Sequence, residues 1–135
     1  MIVSTRGRYA LRVMIDLAEQ AVDGYVPLKD IVQRQNISQK YVEAIMTLLS
    51  KNGFVAGVHG KGGGYKLNRK PSDYKIGEIL RLTEGTLAPV ACLECDAAPC
   101  DRASHCRTLP LWKELDSRVS GYLDSVTLAD FMRKK

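Results

Sequence analysis

No stretch of this chain approaches the ~20 consecutive apolar residues that a membrane helix needs, so no membrane association is expected. The opening run MIVSTRGRYALRVM is interrupted by Arg6, Arg8 and Arg12 and does not read as a secretory signal. The expected compartment is therefore the cytoplasm, where thiols stay reduced. Histidine is scarce: His59 and His105 are the only two, and neither has an acid at a recognisable catalytic spacing. Asp16, Glu78 and Glu84 read as solvated helix charges, so no enzyme is expected. The segment GKGGG lacks the GxxxxGK[ST] pattern and runs into a β-prone stretch, which argues against a nucleotide-phosphate loop. Acids are also rare between Lys51 and Lys75, where Asp73 stands against six lysines and arginines. Cysteine occurs nowhere outside 92–106, yet four lie inside that loop.

What is present fits one compact domain. The chain has 135 residues, 45% of them hydrophobic, well past the ~40 residues below which a staple or metal is usually needed to fold. The cysteines are therefore not required by size. Net charge is +5 and uneven: residues 1–75 hold 12 lysines and arginines against 6 acids, and residues 76–135 hold 8 against 9. That asymmetry suggests a polyanion-binding part beside a part with another job, although an ordinary soluble surface gives the same count.

Apolar residues at Ala10, Leu11, Met14, Leu17, Ala18 and Ala21 predict a helix over 6–21. A short extended piece, Tyr25–Pro27, follows. Two helical patterns come next: LKDIVQRQ, with Leu28, Ile31 and Val32 inward, and SQKYVEAIMTLLSKNG, with Val42, Ile45, Met46 and Leu49 inward. Ser38 suits the N-cap and Gly53 the stop. So tight a joint predicts a helix-turn-helix. FVAGV and YKL then flank HGKGGG, a predicted β-hairpin with a glycine tip, the wing of a winged helix. Residues 75–84 form another helical pattern, and residues 108–126 a long amphipathic one with Leu111, Trp112, Leu115, Val119, Tyr122, Leu123 and Val126 on its apolar face. Thr127 and Asp130 have capping-box spacing. The expected fold is mainly α with a small β-wing: a winged helix-turn-helix region over 1–72, then the cysteine loop (about 87–107) and dimerisation helices over 73–135.

A recognition helix reads base edges with its first residues. Here these are Ser38, Gln39, Lys40 and Tyr41, with Glu43 one turn in, able to accept from a cytosine amino group. His59 and Lys61 sit on the wing tip, and Arg6, Arg8 and Lys61 suit phosphate contacts. The loop CLECDAAPCDRASHC has the spacing C-x2-C-x4-C-x5-C. Thiolates in that number can ligate an iron–sulfur cluster or zinc. A reversible disulfide or thiol sensor, or no role, also fits the residues alone.

The segments STRGRYALRVMIDLA, PLKDIVQRQNISQKYVEAIMTLLSKNGFVAGVHGKGGGYKL, IGEILRLTEG and LPLWKELDSRVSGYLDSVTLADF resemble, in order and over nearly the whole chain, the Rrf2 family of bacterial winged-helix regulators. The STRGRYA start and the GGGY wing are specific to that family. The resemblance implies a homodimer in which the helix 108–126 crosses its twin on palindromic double-stranded promoter DNA. It implies that Thr5, Arg6, Arg8 and Tyr9 join the DNA contacts, and that Ser38, Lys40, Tyr41 and Glu43 face the major groove. Position 59, an arginine in IscR-type members, would enter the minor groove. His59 is shorter than arginine, which implies a different DNA preference.

Cluster-binding members use three loop cysteines, and Cys92-x7-Cys100-x5-Cys106 matches one of their spacings. The implied cofactor is an iron–sulfur cluster, [2Fe-2S] ahead of [4Fe-4S]. The histidine that IscR-type members place three residues after the last cysteine is Leu109 here, and the amino-terminal acid of NsrR-type members is Arg8. Cys95, His105 or a group from the partner chain is left as the fourth ligand. CymR-type members imply an alternative without a cluster, a thiol-based or partner-enzyme-controlled regulator, and a structural zinc site stays open too.

Overall fold

The computed structural model describes residues 3–20, 24–94 and 104–133. Five α-helices and one two-stranded antiparallel sheet make up its main elements. The first helix, α1 (Thr5–Gln20), starts where Ser4 Oγ accepts from the Gly7 amide at 3.1 Å. Gly7, Ala10, Val13, Met14 and Leu17 face inward. Val13, outside the predicted stripe, is fully buried, whereas Leu11 and Ala18 are half-buried at its flanks. Ala21 lies outside the described residues. A Cβ at position 7 would collide with the Glu84 carboxylate and lie 3.2 Å from Thr83 Oγ1. Glycine is what lets α1 approach the end of a helix far along the chain.

Helices α2 (Leu28–Gln35) and α3 (Gln39–Lys51) are joined by Asn36, whose φ of 53° turns the chain through the left-handed region. Asparagine tolerates that conformation better than most residues. Ile37 then plugs into the core and Ser38 caps α3, its hydroxyl accepting from the Tyr41 amide at 3.2 Å. Val42, Ile45, Met46 and Leu49 are all fully buried. The predicted helix-turn-helix is present.

The wing strands β1 (Val55–Val58) and β2 (Gly64–Leu67) pair with Val55 opposite Leu67 and Val58 opposite Gly64. The extended piece 25–27 does more than connect. Val26 and Tyr65 exchange two backbone hydrogen bonds, 2.8 and 2.9 Å long, which fasten β2 to the segment before α2. A side chain on Gly64 would strike the Val26 carbonyl, so this fastening needs glycine there.

Helix α4 (Ile76–Glu84) ends at Gly85, φ 82°. Helix α5 (Leu109–Ser125) is followed by a capping box in which the Thr127 amide donates to Asp130 Oδ2 at 2.8 Å, opening a 3-10 turn, Leu128–Phe131. Leu128 is fully buried and that turn packs on α1. Helix α5 is different: none of its residues is buried. Leu123 and the following Val126 pack against the core, Trp112 is half-buried, and Leu111, Leu115 and Tyr122 are exposed. The architecture is thus mainly helical with a small β-wing.

Of the three acids expected as solvated charges, Asp16 departs from that, while Glu78 and Glu84 stay partly exposed with hydrogen-bond partners. Asp16 is buried: Arg34 grips its two carboxylate oxygens at 2.8 and 3.0 Å, and Gln35 Nε2 donates to it at 2.8 Å. A carboxylate leaves water when such donors replace it. Glu78 accepts from the Lys75 amide and from Arg69, both at 3.2 Å. Glu84 accepts from the Ser4 amide at 3.2 Å and the Ser4 hydroxyl at 2.6 Å.

Candidate nucleic-acid interface and metal centre

The side chains expected to meet DNA are mostly on the surface. Ser38, Gln39, Lys40 and Glu43 at the start of α3 are exposed, as are Thr5, Arg6 and Arg8 at the start of α1 and His59 and Lys61 on the wing. Several are held by neighbours. Gln39 Nε2 donates to Glu43 Oε1 at 3.0 Å, which presents the carboxylate at a set place on α3 and occupies one of its oxygens. Arg8 reaches back to Thr5 Oγ1 at 3.2 Å, and Arg6 donates to the Thr83 carbonyl at 3.1 Å.

Tyr9 and Tyr41 are half-buried and meet edge to face, ring centroids 5.3 Å apart. Arg12 lies 5.1 Å over the Tyr9 ring and donates to both the Gln35 side chain and the Gln35 carbonyl. These two tyrosines therefore anchor the start of α3 on α1. Between α3 and the wing runs a groove of about 580 Å³ whose lining includes Lys29, Glu43, Lys51, His59 and Tyr65. Glu43 and His59, far apart in the chain, are brought to the same groove.

Behind this surface lies a residue that the sequence does not flag. Tyr74 is fully buried. Its hydroxyl donates to the Phe54 carbonyl at 2.6 Å and accepts from the Asn68 and Arg69 amides at 2.8 and 3.0 Å. Burial pushes the phenol above its usual range, against the pull of those amides, so it stays a neutral donor. Arg69 stacks on it, 4.5 Å over the ring. A buried-phenol signal could be sought in a tyrosine directly after a proline-led turn, but one tyrosine among six gives no such warning.

The cysteine loop is described at its two ends. Cys92 lies exposed in the 3-10 turn Ala91–Leu93. Cys106 is half-buried, its Sγ 3.4 Å from Thr108 Oγ1, and His105 is exposed. Cys95 and Cys100 lie outside the described residues. Among the described residues no three ligating side chains converge. The donor chemistry is of the thiolate type that an iron–sulfur cluster or zinc takes, with Cys92 and Cys106 the first and last cysteines of the loop. The loop's stem is fixed: Glu84, just before Gly85, holds Ser4 at the head of α1. This link spans 80 residues, beyond the reach of any local pattern. On the other side, Arg81 grips Asp124 of α5 at 2.6 and 3.0 Å, and that hydrogen-bonded guanidinium holds the Asp124 carboxyl below the usual carboxylate range.

Comparison with known proteins gives this arrangement a family. Residues 3–134 match Rrf2, described as an iron-dependent transcriptional regulator. The HTH-type transcriptional regulator IscR of Photobacterium profundum is 39% identical over 133 residues, 98% of this chain and 76% of that protein. Among solved structures, CymR (YrzC), the global cysteine regulator of B. subtilis, is 38% identical with a TM-score of 0.77, over 96% of this chain and 95% of that one. IscR of T. potens is 34% identical with a TM-score of 0.73, over 100% of this chain and 94% of that one. With its helix-turn-helix, its wing and relatives matched along nearly all of its length, the chain belongs to the Rrf2 family of transcriptional regulators.

Proposed function

We propose that this protein is a dimeric regulator that binds double-stranded promoter DNA under the control of an iron–sulfur cluster in the loop 92–106. The observation that carries the DNA half is the exposed polar start of α3 beside a glycine-tipped wing, with Glu43 and His59 on one groove. Ser38, Gln39, Lys40 and Glu43 meet base edges in the major groove, with Tyr41 at the same helix end. His59 approaches the minor groove, where backbone-exposing glycines allow close passage, and Lys61 meets a phosphate beside it. Thr5, Arg6, Arg8 and Tyr9 position the protein on phosphates. The exposed apolar residues Leu111, Leu115 and Tyr122 on α5 support a second copy as their cover, which matches a two-fold symmetric operator.

Cys92, Cys100 and Cys106 would hold the cluster, with Cys95 or His105 completing the set, and [2Fe-2S] is favoured over [4Fe-4S]. Bound there, the cluster supplies a redox- and iron-sensitive link across the loop. The chain's own part is mechanical. Glu84 ties the loop's stem to the head of α1, so ordering the loop bears on Arg6 and Arg8. A coupling of about 1–3 kcal/mol alters DNA affinity roughly 5- to 150-fold. The similarity to a global cysteine regulator supports a second reading, a cluster-free thiol- or partner-controlled switch.

The test is anaerobic purification with a visible spectrum and iron, sulfide and zinc analysis, followed by DNA-binding titrations at several salt concentrations. Iron with sulfide and salt-dependent DNA binding are expected. Zinc alone makes the loop structural. No metal, with thiols that oxidise reversibly, supports the second reading. Absence of DNA binding in every state sinks the proposal.

A further inference from the structure

The wing of this protein is pinned by something other than its own ladder. Val55 pairs with Leu67, and continuing that register by one sets Phe54 opposite Asn68. At this place the Tyr74 phenol oxygen stands between the two strands: it accepts from the Asn68 amide at 2.8 Å and donates to the Phe54 carbonyl at 2.6 Å. It also takes the Arg69 amide at 3.0 Å. One side-chain oxygen thus satisfies three backbone groups where the hairpin opens. The Phe54 amide is meanwhile committed to Leu49 of α3 at 2.9 Å.

Tyr74 is in turn fixed from behind. Its own carbonyl accepts from Leu128 at 3.1 Å, and the next amide but one, Ile76, donates to Val126 at 3.0 Å. Arg69 covers both the Tyr74 and Phe54 rings, at 4.5 and 5.1 Å, and donates to the Asp73 carbonyl and Glu78 at 3.2 Å. At the other end of β2 the Val26–Tyr65 exchange ties the wing to the body.

We infer that Tyr74 is the positioning residue of the wing: its hydroxyl, bridging Phe54 to Asn68 and Arg69, sets the pose in which His59 and Lys61 meet DNA. Tyr74 touches no DNA itself. The affinity arm of the test rests on the DNA-binding reading, and the exchange arm does not.

Tyr74→Phe keeps the ring and removes only the oxygen. In the free protein, amide hydrogen exchange in 55–58 and 64–69 is expected to speed up about tenfold or more, while the amides of α3 change by less than about twofold. Equal acceleration in α3 makes the hydroxyl a general stabiliser and overturns the inference, as does unchanged exchange in the wing. If Tyr74→Phe does not fold, the wild type decides: protection of the Asn68 and Arg69 amides equal to that of β2 supports the bridge, and exchange as free as in an exposed turn refutes it.

The affinity arm uses a duplex selected by the wild-type protein from a random-sequence library. His59→Ala should weaken binding in the wild type and weaken it at least about fivefold less in the Tyr74→Phe background. Fully additive losses mean Tyr74 does not act through the wing. If the wild type selects no duplex, the DNA-binding reading fails and the exchange result still judges Tyr74.

Discussion

Helices α3 and α5 carry the same kind of apolar periodicity and end in opposite surroundings. In α3, Val42, Ile45, Met46 and Leu49 are fully buried. In α5, Leu111 is 57% exposed, Leu115 39% and Tyr122 60%. The pattern fixes a face on each helix. What covers that face depends on the rest of the chain, and of the apolar residues of α5 only Leu123, with Val126 just past its end, packs against the core. An amphipathic stripe is a statement about a helix, whereas burial is a statement about its neighbours.

The comparison can be broken most severely inside α3. Leu49→Ala removes a fully buried side chain and is expected to cost about 2–5 kcal/mol, seen as a lower urea midpoint with an unchanged slope. A loss below about 1 kcal/mol would mean that α3 is no better covered than α5. Asp16→Asn comes next. It takes the charged acceptor from Arg34 and Gln35 and should cost about 1–3 kcal/mol by the same assay. A change within ~0.5 kcal/mol would restore the solvated charge that periodicity suggests.

Leu115→Ala sharpens the contrast from the other side. In a single chain it removes a partly exposed side chain and should cost less than about 1 kcal/mol. If a second copy covers α5, the loss becomes concentration-dependent and the variant dissociates at higher protein concentration in sedimentation. Equal, concentration-independent unfolding of wild type and variant would leave that face without a partner.

The smallest effect belongs to Arg81 and Asp124, which join α4 to α5. The folded-state pKa of Asp124 is lowered by the hydrogen bond from Arg81. Its contribution is therefore complete above the unfolded carboxylate value, about 3.9, and is lost as pH falls through the lower folded value. Both side chains are more than a third exposed, so the pair is worth under about 1 kcal/mol. Asp124→Asn should lower neutral stability by under about 1 kcal/mol and converge on the wild type in acid, which flattens the acid limb of the stability–pH curve. A variant curve parallel to the wild type at every pH would contradict the pairing.

Local signals in the sequence are legible because their causes are local. Ser38 caps, Gly53 and Gly85 stop helices, Thr127 pairs with Asp130, and the hairpin follows its glycines. The rest is long-range. Asp16 reads as a solvated charge because nothing near it shows that Arg34 and Gln35 will fold against it. Val13 falls outside the stripe that contains Leu11 because the crossing of α1 by other elements, not its own spacing, decides which flank is deepest. Gly7 looks like part of a basic start, and its need for no side chain emerges only when Glu84 packs there. The exposed residues proposed to meet DNA are legible as polar. Their restraint, Gln39 on Glu43 and Tyr9 on Tyr41, is not. Tyr74 is invisible because its three partners lie at the ends of a hairpin whose register must form first.

The chain's only tryptophan, Trp112, is a half-buried ring on α5, shortly after Cys106, while five of its six tyrosines lie in the first 75 residues. Its indole emission is therefore a built-in optical probe of the poorly covered helix alone. Light absorbed selectively by that ring reports on the neighbourhood of α5 and the end of the cysteine loop, while tyrosine emission speaks mainly for the helix-turn-helix and wing. One unlabelled sample carries two separable colours, one for each of the two surroundings.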